Sequence, residues 1–262
     1  MKSLATLYCE TVREELGGGY RATWLPGNRV DIGTVGTVQN NVFVPAGTIC
    51  DGNGNPPRTV EVSREGIFNF VSARGVTFAP KIAGEAPVEG SLLSKASAGI
   101  RMLFQRRGAT VLAASGCTER RVVDLKALGQ ELLRRSRDGQ WNHDWYVVVS
   151  TVEADALSVF IGANDSGCFE AECGVGVGAA APSPIALVDA GLKVIRDSGF
   201  GLSLRHFERT TPFCHLACLV GRTEDSAMAQ VKHLADVPPD AAPEAMNWML
   251  EVDFEPQRIP LD

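Results

Sequence analysis

Two groupings of cysteine and histidine invite a metal reading. Cys168 and Cys173 stand four residues apart in between, and Cys214-His215 is followed by Cys218. A zinc knuckle needs a Cys-x2-Cys turn converging with further ligands, and the spacing here does not fit one. Both groupings fall instead in stretches that read as strands, where alternate side chains face opposite ways. They read as buried structural thiols, and no metal is expected. The signatures of common catalytic sites are missing too. There is no glycine-rich phosphate loop with its lysine, no His-Glu-x-x-His pair and no Gly-x-Ser-x-Gly elbow. The four histidines have no evident carboxylate or cysteine partner. The chain is not expected to be an enzyme, and no cofactor is expected.

Partition between water and lipid is a different kind of chemistry, and two segments are patterned for it. Residues 98–105 and 109–115 read as two strands joined across Arg106-Arg107-Gly108. Ile100, Met102 and Phe104 alternate with Arg101, Leu103 and Gln105, and Val111 continues the pattern on the second arm. Residues 156–162 and 169–177 flank Asn164-Asp165-Ser166-Gly167, a good turn sequence. Val159 and Ile161 lie on one arm, Val175 and Val177 on the other. A transmembrane β-strand needs roughly 9–11 residues with one apolar and one polar side. Half-exposed strands of an ordinary antiparallel sheet carry the same alternation, so the pattern admits both readings.

The elements that position these segments follow from periodicity. Leu4, Leu7, Tyr8, Val12 and Leu16 recur at helical spacing, with Ser3 as cap and Gly17-Gly18-Gly19 as terminator. Cys9 borders that stripe and reads as a small core thiol. Residues 24–57 are irregular and rich in Pro, Gly and Asn. Short strands follow at residues 60–62, 66–71 and 75–78. A helix runs from Asp124 to Arg134, with Leu125, Leu128, Leu132 and Leu133 on one face and Gly139 beyond its end. Residues 145–152 are a strongly apolar strand. Further strands are expected near 192–195, 200–207 and 213–220, then a helix capped by Thr223.

Composition bounds the class. The chain has 262 residues, 45% of them hydrophobic, enough for a sizeable core. A net charge of −6 does not suggest a nucleic-acid partner. No run of about 18 apolar residues exists, so no transmembrane helix is expected, nor a secretory signal. Seven scattered cysteines read as reduced thiols of a cytoplasmic protein.

The last residues differ from the rest. Val237, Pro238, Pro239, Asp240 and Ala241 lie in a proline-rich linker, open to proteolysis. Gly221-Arg222-Thr223 is a second candidate cut site for a protease that prefers a basic residue. Beyond the linker, Glu244, Glu251, Asp253, Glu255 and Asp262 stand against Arg258 alone, which accounts for four of the six net negative charges. Trp248, Leu250 and Phe254 make this tail too apolar to float free. Two parts are therefore expected: a body of residues 1–241 and a docked tail of residues 242–262. The fold expected is α+β, a twisted, mostly antiparallel central sheet edged by helices.

The order of segments resembles the pore-forming domain of gasdermins. There a basic-flanked Val-Asp-Leu-x-x-Leu helix follows a membrane-inserting hairpin and leads to a Tyr-Val-Val strand. Here Val123-Asp124-Leu125 and Leu128 precede Trp145-Tyr146-Val147-Val148. Asp31-Ile-Gly-Thr-Val-Gly36 resembles the Gly-Asp-Val/Ile-Gly turn near the start of such domains. The length resembles the bacterial rather than the animal form. The resemblance implies a latent monomer, cut by an activating protease that releases the tail. The body would then assemble into a homo-oligomer on anionic inner-membrane lipid. The two hairpins would become a β-barrel pore that kills a phage-infected cell. It also implies a fatty-acylated (palmitoyl) cysteine near the start, here Cys9. A different class remains open: a β-rich ligand- or partner-binding protein with no membrane step.

Overall fold

The structure is a computed structural model that describes residues 2–16, 19–50, 56–63, 68–71, 75–86, 89–95, 97–173, 187–188, 191–222 and 247–252. In chain order the elements are α1 (Leu4–Leu16), β1 (Arg21–Ala22), β2 (Thr34–Gln39), β3 (Val42–Thr48), β4 (Thr59–Ser63), β5 (Phe68–Val71), β6 (Val76–Lys81), β7 (Gly99–Phe104), β8 (Thr110–Ser115), β9 (Thr118–Val122), α2 (Leu125–Arg137), β10 (Tyr146–Ala154), β11 (Ala156–Gly162), β12 (Gly167–Glu172), β13 (Lys193–Ser198), β14 (Phe200–His206), β15 (Thr210–Arg222) and β16 (Asn247–Val252). The fold is α+β, with antiparallel sheets and two helices among the described residues. The helix expected after Thr223 lies outside them.

Three sheets take the place of the single central sheet expected. One has eight strands, built on the pair β10–β15. β10 needs partners on both edges because its valines are buried on both faces, as in any central strand. Val147 and Val149 face one apolar cluster with Leu128 and Leu132 of α2, while Val148 faces another with Phe43 and Leu216. The other two sheets have four strands each, in the orders β14-β11-β8-β5 and β13-β12-β7-β6.

These two orders are the key to the fold. Each strand of the first four-stranded sheet sits at the same position as its sequence neighbour in the second. Four long ribbons account for this: I (β4, β5, β6), II (β7, β8, β9), III (β10, β11, β12) and IV (β13, β14, β15). Ribbons II to IV each bend out of the eight-stranded sheet into the first four-stranded sheet, then fold back as the second. Ribbon I has the same strand neighbours throughout. Ribbons II and III keep one unbroken register through all three ladders. It runs from Ser150↔Arg121 to Glu153↔Thr118, from Ala156↔Ser115 to Ile161↔Thr110, and from Gly167↔Phe104 to Glu172↔Gly99. No residue is gained or lost where they double over.

Apolar packing explains the doubling. Ile100, Met102 and Phe104 from one arm of ribbon II meet Ala109, Val111 and Ala113 from the other. Phe160 and Phe169 of ribbon III meet with ring centroids 4.5 Å apart, and Phe200 lies 4.8 Å from Phe104. The opposite face of the first sheet is also covered. Leu112, Leu157, Val159 and Ile161 pack under α1, against Tyr8 and Val12. Burying one such side chain contributes about 1.5–3 kcal/mol, so the folded-back sheet is held mainly by its interior.

Special residues mark the bends. At the first bend Gly116 has φ +63°, and a Cβ there would lie 2.4 Å from Asp155 Oδ2. Beside it the buried Glu153 pairs with Arg120 at 3.1 Å and with Arg209 at 3.4 Å. Residues 24–57 are less irregular than their composition suggests, because β2 and β3 form a hairpin. Its turn residues Asn40 and Asn41 have φ of 51° and 65°, the left-handed pair that a tight hairpin turn requires. Gly36 sits at the bulge of that hairpin, where a Cβ would meet Val44 O at 2.1 Å.

Because Phe160 bridges both arms, Phe160→Ala should cost about 3–5 kcal/mol of stability. Val194→Ala, at an exposed strand position, should change it by less than about 0.5 kcal/mol. Urea denaturation of the two variants beside the parent checks both values. Equal midpoints would show that the sandwich interior does not hold the fold.

Candidate membrane-active ribbons and tail

The two hairpins read from the sequence are not hairpins. β7 pairs with β6 and β12, and β8 with β5 and β11, but β7 and β8 do not pair with each other. β11 and β12 are likewise split between sheets. The reason is burial on both sides. Every residue from Thr110 to Ala114 is buried, so β8 cannot be a half-exposed hairpin arm. The connection through Arg106-Arg107-Gly108 is an arch between facing sheets, with Gly108 at φ +79°. The true antiparallel neighbours are whole ribbons, I beside II and III beside IV.

The residues expected to face lipid are divided accordingly. Ile100, Met102, Phe104 and Val111 all lie inside the sandwich. Val159 and Ile161 lie on the other side of the sheet, under α1. A charge at Val111 would therefore enter a core in this state. Val175 and Val177 lie outside the described residues; β12 ends at Glu172.

Cys9 is buried on α1. Ser3 caps that helix, with Thr6 N donating to its Oγ at 3.1 Å, and the cap sets Tyr8, Cys9 and Val12 inward. The Cys9 thiol donates to Ala22 O at 3.7 Å. Burial pushes it up to about 12, with Arg21 opposing and Glu10 adding to the rise. Cys214 is pushed up to about 12 for the same first reason. Acyl transfer to Cys9 therefore requires α1 to lift or the modification to precede folding. None of the seven cysteines is in a disulfide. Among the described residues no three of His, Cys, Asp and Glu are grouped to hold a metal. His215 instead stacks on Tyr20, ring centroids 4.1 Å apart.

The tail segment is seated by main-chain pairing. β16 runs antiparallel along β15, from Arg222↔Asn247 to Ala217↔Val252, with Trp248 opposite Gly221 and Leu250 opposite Leu219. It also lies against α2. Sequence reasoning put the tail on the body through bulky anchors but missed the strand addition. The signal was available in Asn247-Trp-Met-Leu-Glu-Val252, a short run of strand character. Val237, Pro238, Pro239, Asp240, Ala241 and Phe254 lie outside the described residues.

α2 takes the expected cap, with Ala127 N donating to Asp124 Oδ1 at 2.8 Å. Leu128 and Leu132 are buried, whereas Leu125 is 38% exposed. Glu131 accepts from Arg134 and Arg135, and Arg135 in turn donates to Cys50 O. The Arg134 hydrogen bond is the first cause that holds the Glu131 carboxyl down to about 2. Between α2, Val122 and the segment around Pro57 lies a cavity of about 370 Å³, lined mostly by apolar side chains. No described helix is long and apolar enough to cross a membrane, which bears on helices only.

Comparison of the chain with protein-family models and with curated proteins finds no match.

Thiol reactivity follows from these environments. Cys50 and Cys117 are partly exposed, so alkylation of the native protein at pH 8 should reach them first. Cys9 and Cys214, raised from 9.0 to about 12, should carry roughly a thousandfold less thiolate. The folded state holds these two protons more tightly than the unfolded chain. Stability should thus be intact below pH 9.0 and decline as pH rises toward 12. Peptide mapping of alkylated protein checks the order. Fast labelling of Cys9 in the native state would mean that α1 lifts readily.

Proposed function

We propose that this chain is a latent pore-forming protein of the bacterial gasdermin type, acting without enzymatic chemistry. One observation carries the proposal: ribbons II and III keep a single register through the point where they fold back. A sandwich built this way opens without exchanging any strand neighbour. Ribbon II alone, from Gly99 to Val122, exceeds the roughly 9–11 residues that cross a bilayer as a strand. In water opening is unfavourable because it exposes Phe104, Phe160 and Phe169. At a membrane the acyl chains replace the facing sheet as the apolar partner of the face that carries Phe104 and Phe169.

The tail acts as the latch. β16 occupies the edge of β15 from Ala217 to Arg222, and a free strand edge is a template for another chain. Cleavage among Val237 to Ala241 releases that strand and with it most of the net negative charge. Anionic inner-membrane lipid then meets less repulsion, and the freed edge accepts a second copy. While tethered the tail rebinds at high effective concentration; once cut it diffuses away. The partners are a protease, anionic lipid and further copies of the chain, and the outcome is death of the host cell in anti-phage defence. A palmitoyl group on Cys9 belongs to the same proposal. The cytoplasm is the location of the latent form and the inner membrane that of the pore.

The cavity beside α2 favours a second reading, a β-rich protein that binds a small apolar ligand or partner with no membrane step.

A protease site in place of Pro239-Asp240 should give a silent protein until protease is added, then release of dye from anionic liposomes. Trp248→Ala should lower the protease dose required. If the cut protein stays soluble and the liposomes stay sealed, the latch is wrong and the binding reading takes over.

A further inference from the structure

We infer that Arg106 and Asp165 form a cross-strand ion pair in the extended state and set the register of the opened ribbons. The inference rests on the pore-forming reading and assigns two residues to it.

In the folded-back state the arms of ribbons II and III end at the Phe104↔Gly167 and Thr110↔Ile161 pairs. Gly108 N still donates to Gly162 O, and Gly162 N to Ala109 O. The residues between belong to the two arches. Because the register is the same on both sides, straightening leaves one pairing for them. Arg106 comes opposite Asp165, Arg107 opposite Asn164, and Gln105 opposite Ser166. Opposite charges directly across an antiparallel pair are favourable and like charges are not.

The faces sort themselves by the same rule. Phe104 and Ala109 both point into the sandwich, as do Phe160 and Phe169, although each pair is an odd number of positions apart. On a straight strand such residues lie on opposite faces. Straightening therefore moves Val111 and Phe160 away from Met102 and Phe169. It joins Met102 and Phe169 to Leu112 and Val159, which now sit in the other core. The resulting stripe is apolar except for Thr110 and, near its middle, Arg106 and Asp165. The opposite face gains the Arg101–Glu170 pair, 3.0 Å apart in the latent fold. A lone charge on the apolar stripe is costly beside lipid, whereas a paired one loses less.

Both residues lie at the surface of the latent fold. Asp165 is exposed in a turn closed by Ser166 N donating to Asn164 Oδ1 at 2.9 Å. Arg106 is exposed and packs over Gly75, where a Cβ would lie 2.5 Å from its Cγ.

The test uses the full chain with the engineered protease site and liposomes of phosphatidylethanolamine and phosphatidylglycerol. Arg106→Asp and Asp165→Arg are each expected to slow dye release by at least roughly tenfold, since the charge clash recurs in every copy of the assembly. The double reversal should return the rate to within about threefold of the parent, because the pair is restored in opposite sense. Thermal melts of the uncut variants check that each one folds, and Arg106→Gln with Asp165→Asn provides a neutral pair if either reversal misfolds. Singles that release dye like the parent would overturn the inference, as would a double reversal no faster than the singles. A cut parent that releases no dye removes the pore reading itself, and with it this assignment.

Discussion

One backbone register, shared by ribbons II and III across three sheets, is the constraint on which the rest of the structure depends. Antiparallel pairing satisfies the main-chain polar groups of the long ribbons within each ladder. It also forces the arches to match in length. If one arch held an extra residue, every side chain beyond it would switch faces on one ribbon but not on the other. The sandwich core would then lose either the Ile100, Met102, Phe104 set or the Phe169, Ala171 set. The constant register is what lets two separate stretches of each ribbon supply one interior.

That constraint has an energetic counterpart. The first four-stranded sheet is apolar on both faces, with Val111 and Phe160 on one and Leu112 and Val159 on the other. Such a sheet cannot stand in water with either face open. In the latent fold one face is covered by the doubled-back arms and the other by α1. Polar groups reinforce the joints rather than the interior. Glu153 with Arg120 and Arg209 sits at the first bend, and Arg101 with Glu170 binds β7 to β12. Leu92 N donates to Glu170, and Arg101 to Glu89 O, so the segment between ribbons I and II is held on the outer face of the second sheet.

β16 shows how a weakly patterned segment can be placed strongly. Its pairing with β15 uses main-chain groups that every residue has, so little of the docking is written in residue type. The opposite edges carry their own protection. Pro80 on β6 and Pro45 on β3 lie on edge strands, where a missing N–H discourages further pairing.

The sequence by itself determined the local pieces. Ser3 and Asp124 as caps, Gly139 as terminator, the apolar stripe of α1 and the buried character of β10 and β15 were all legible, because each depends on near neighbours. The α+β class followed from them. The Asn40-Asn41 hairpin was legible in principle, since paired Asn between alternating valines is a turn signal, but the surrounding Pro and Gly masked it. What tertiary structure alone decided was which strands pair. Ile100-Arg101-Met102 alternates as a half-exposed strand does, whether it folds beside β8 or across from it. Alternation gives the side-chain period of one strand but carries no label for the partner strand. Only the need to bury both faces of residues 110–114 and 157–161 at once separates an arch from a hairpin. That need arises from packing between elements distant in sequence.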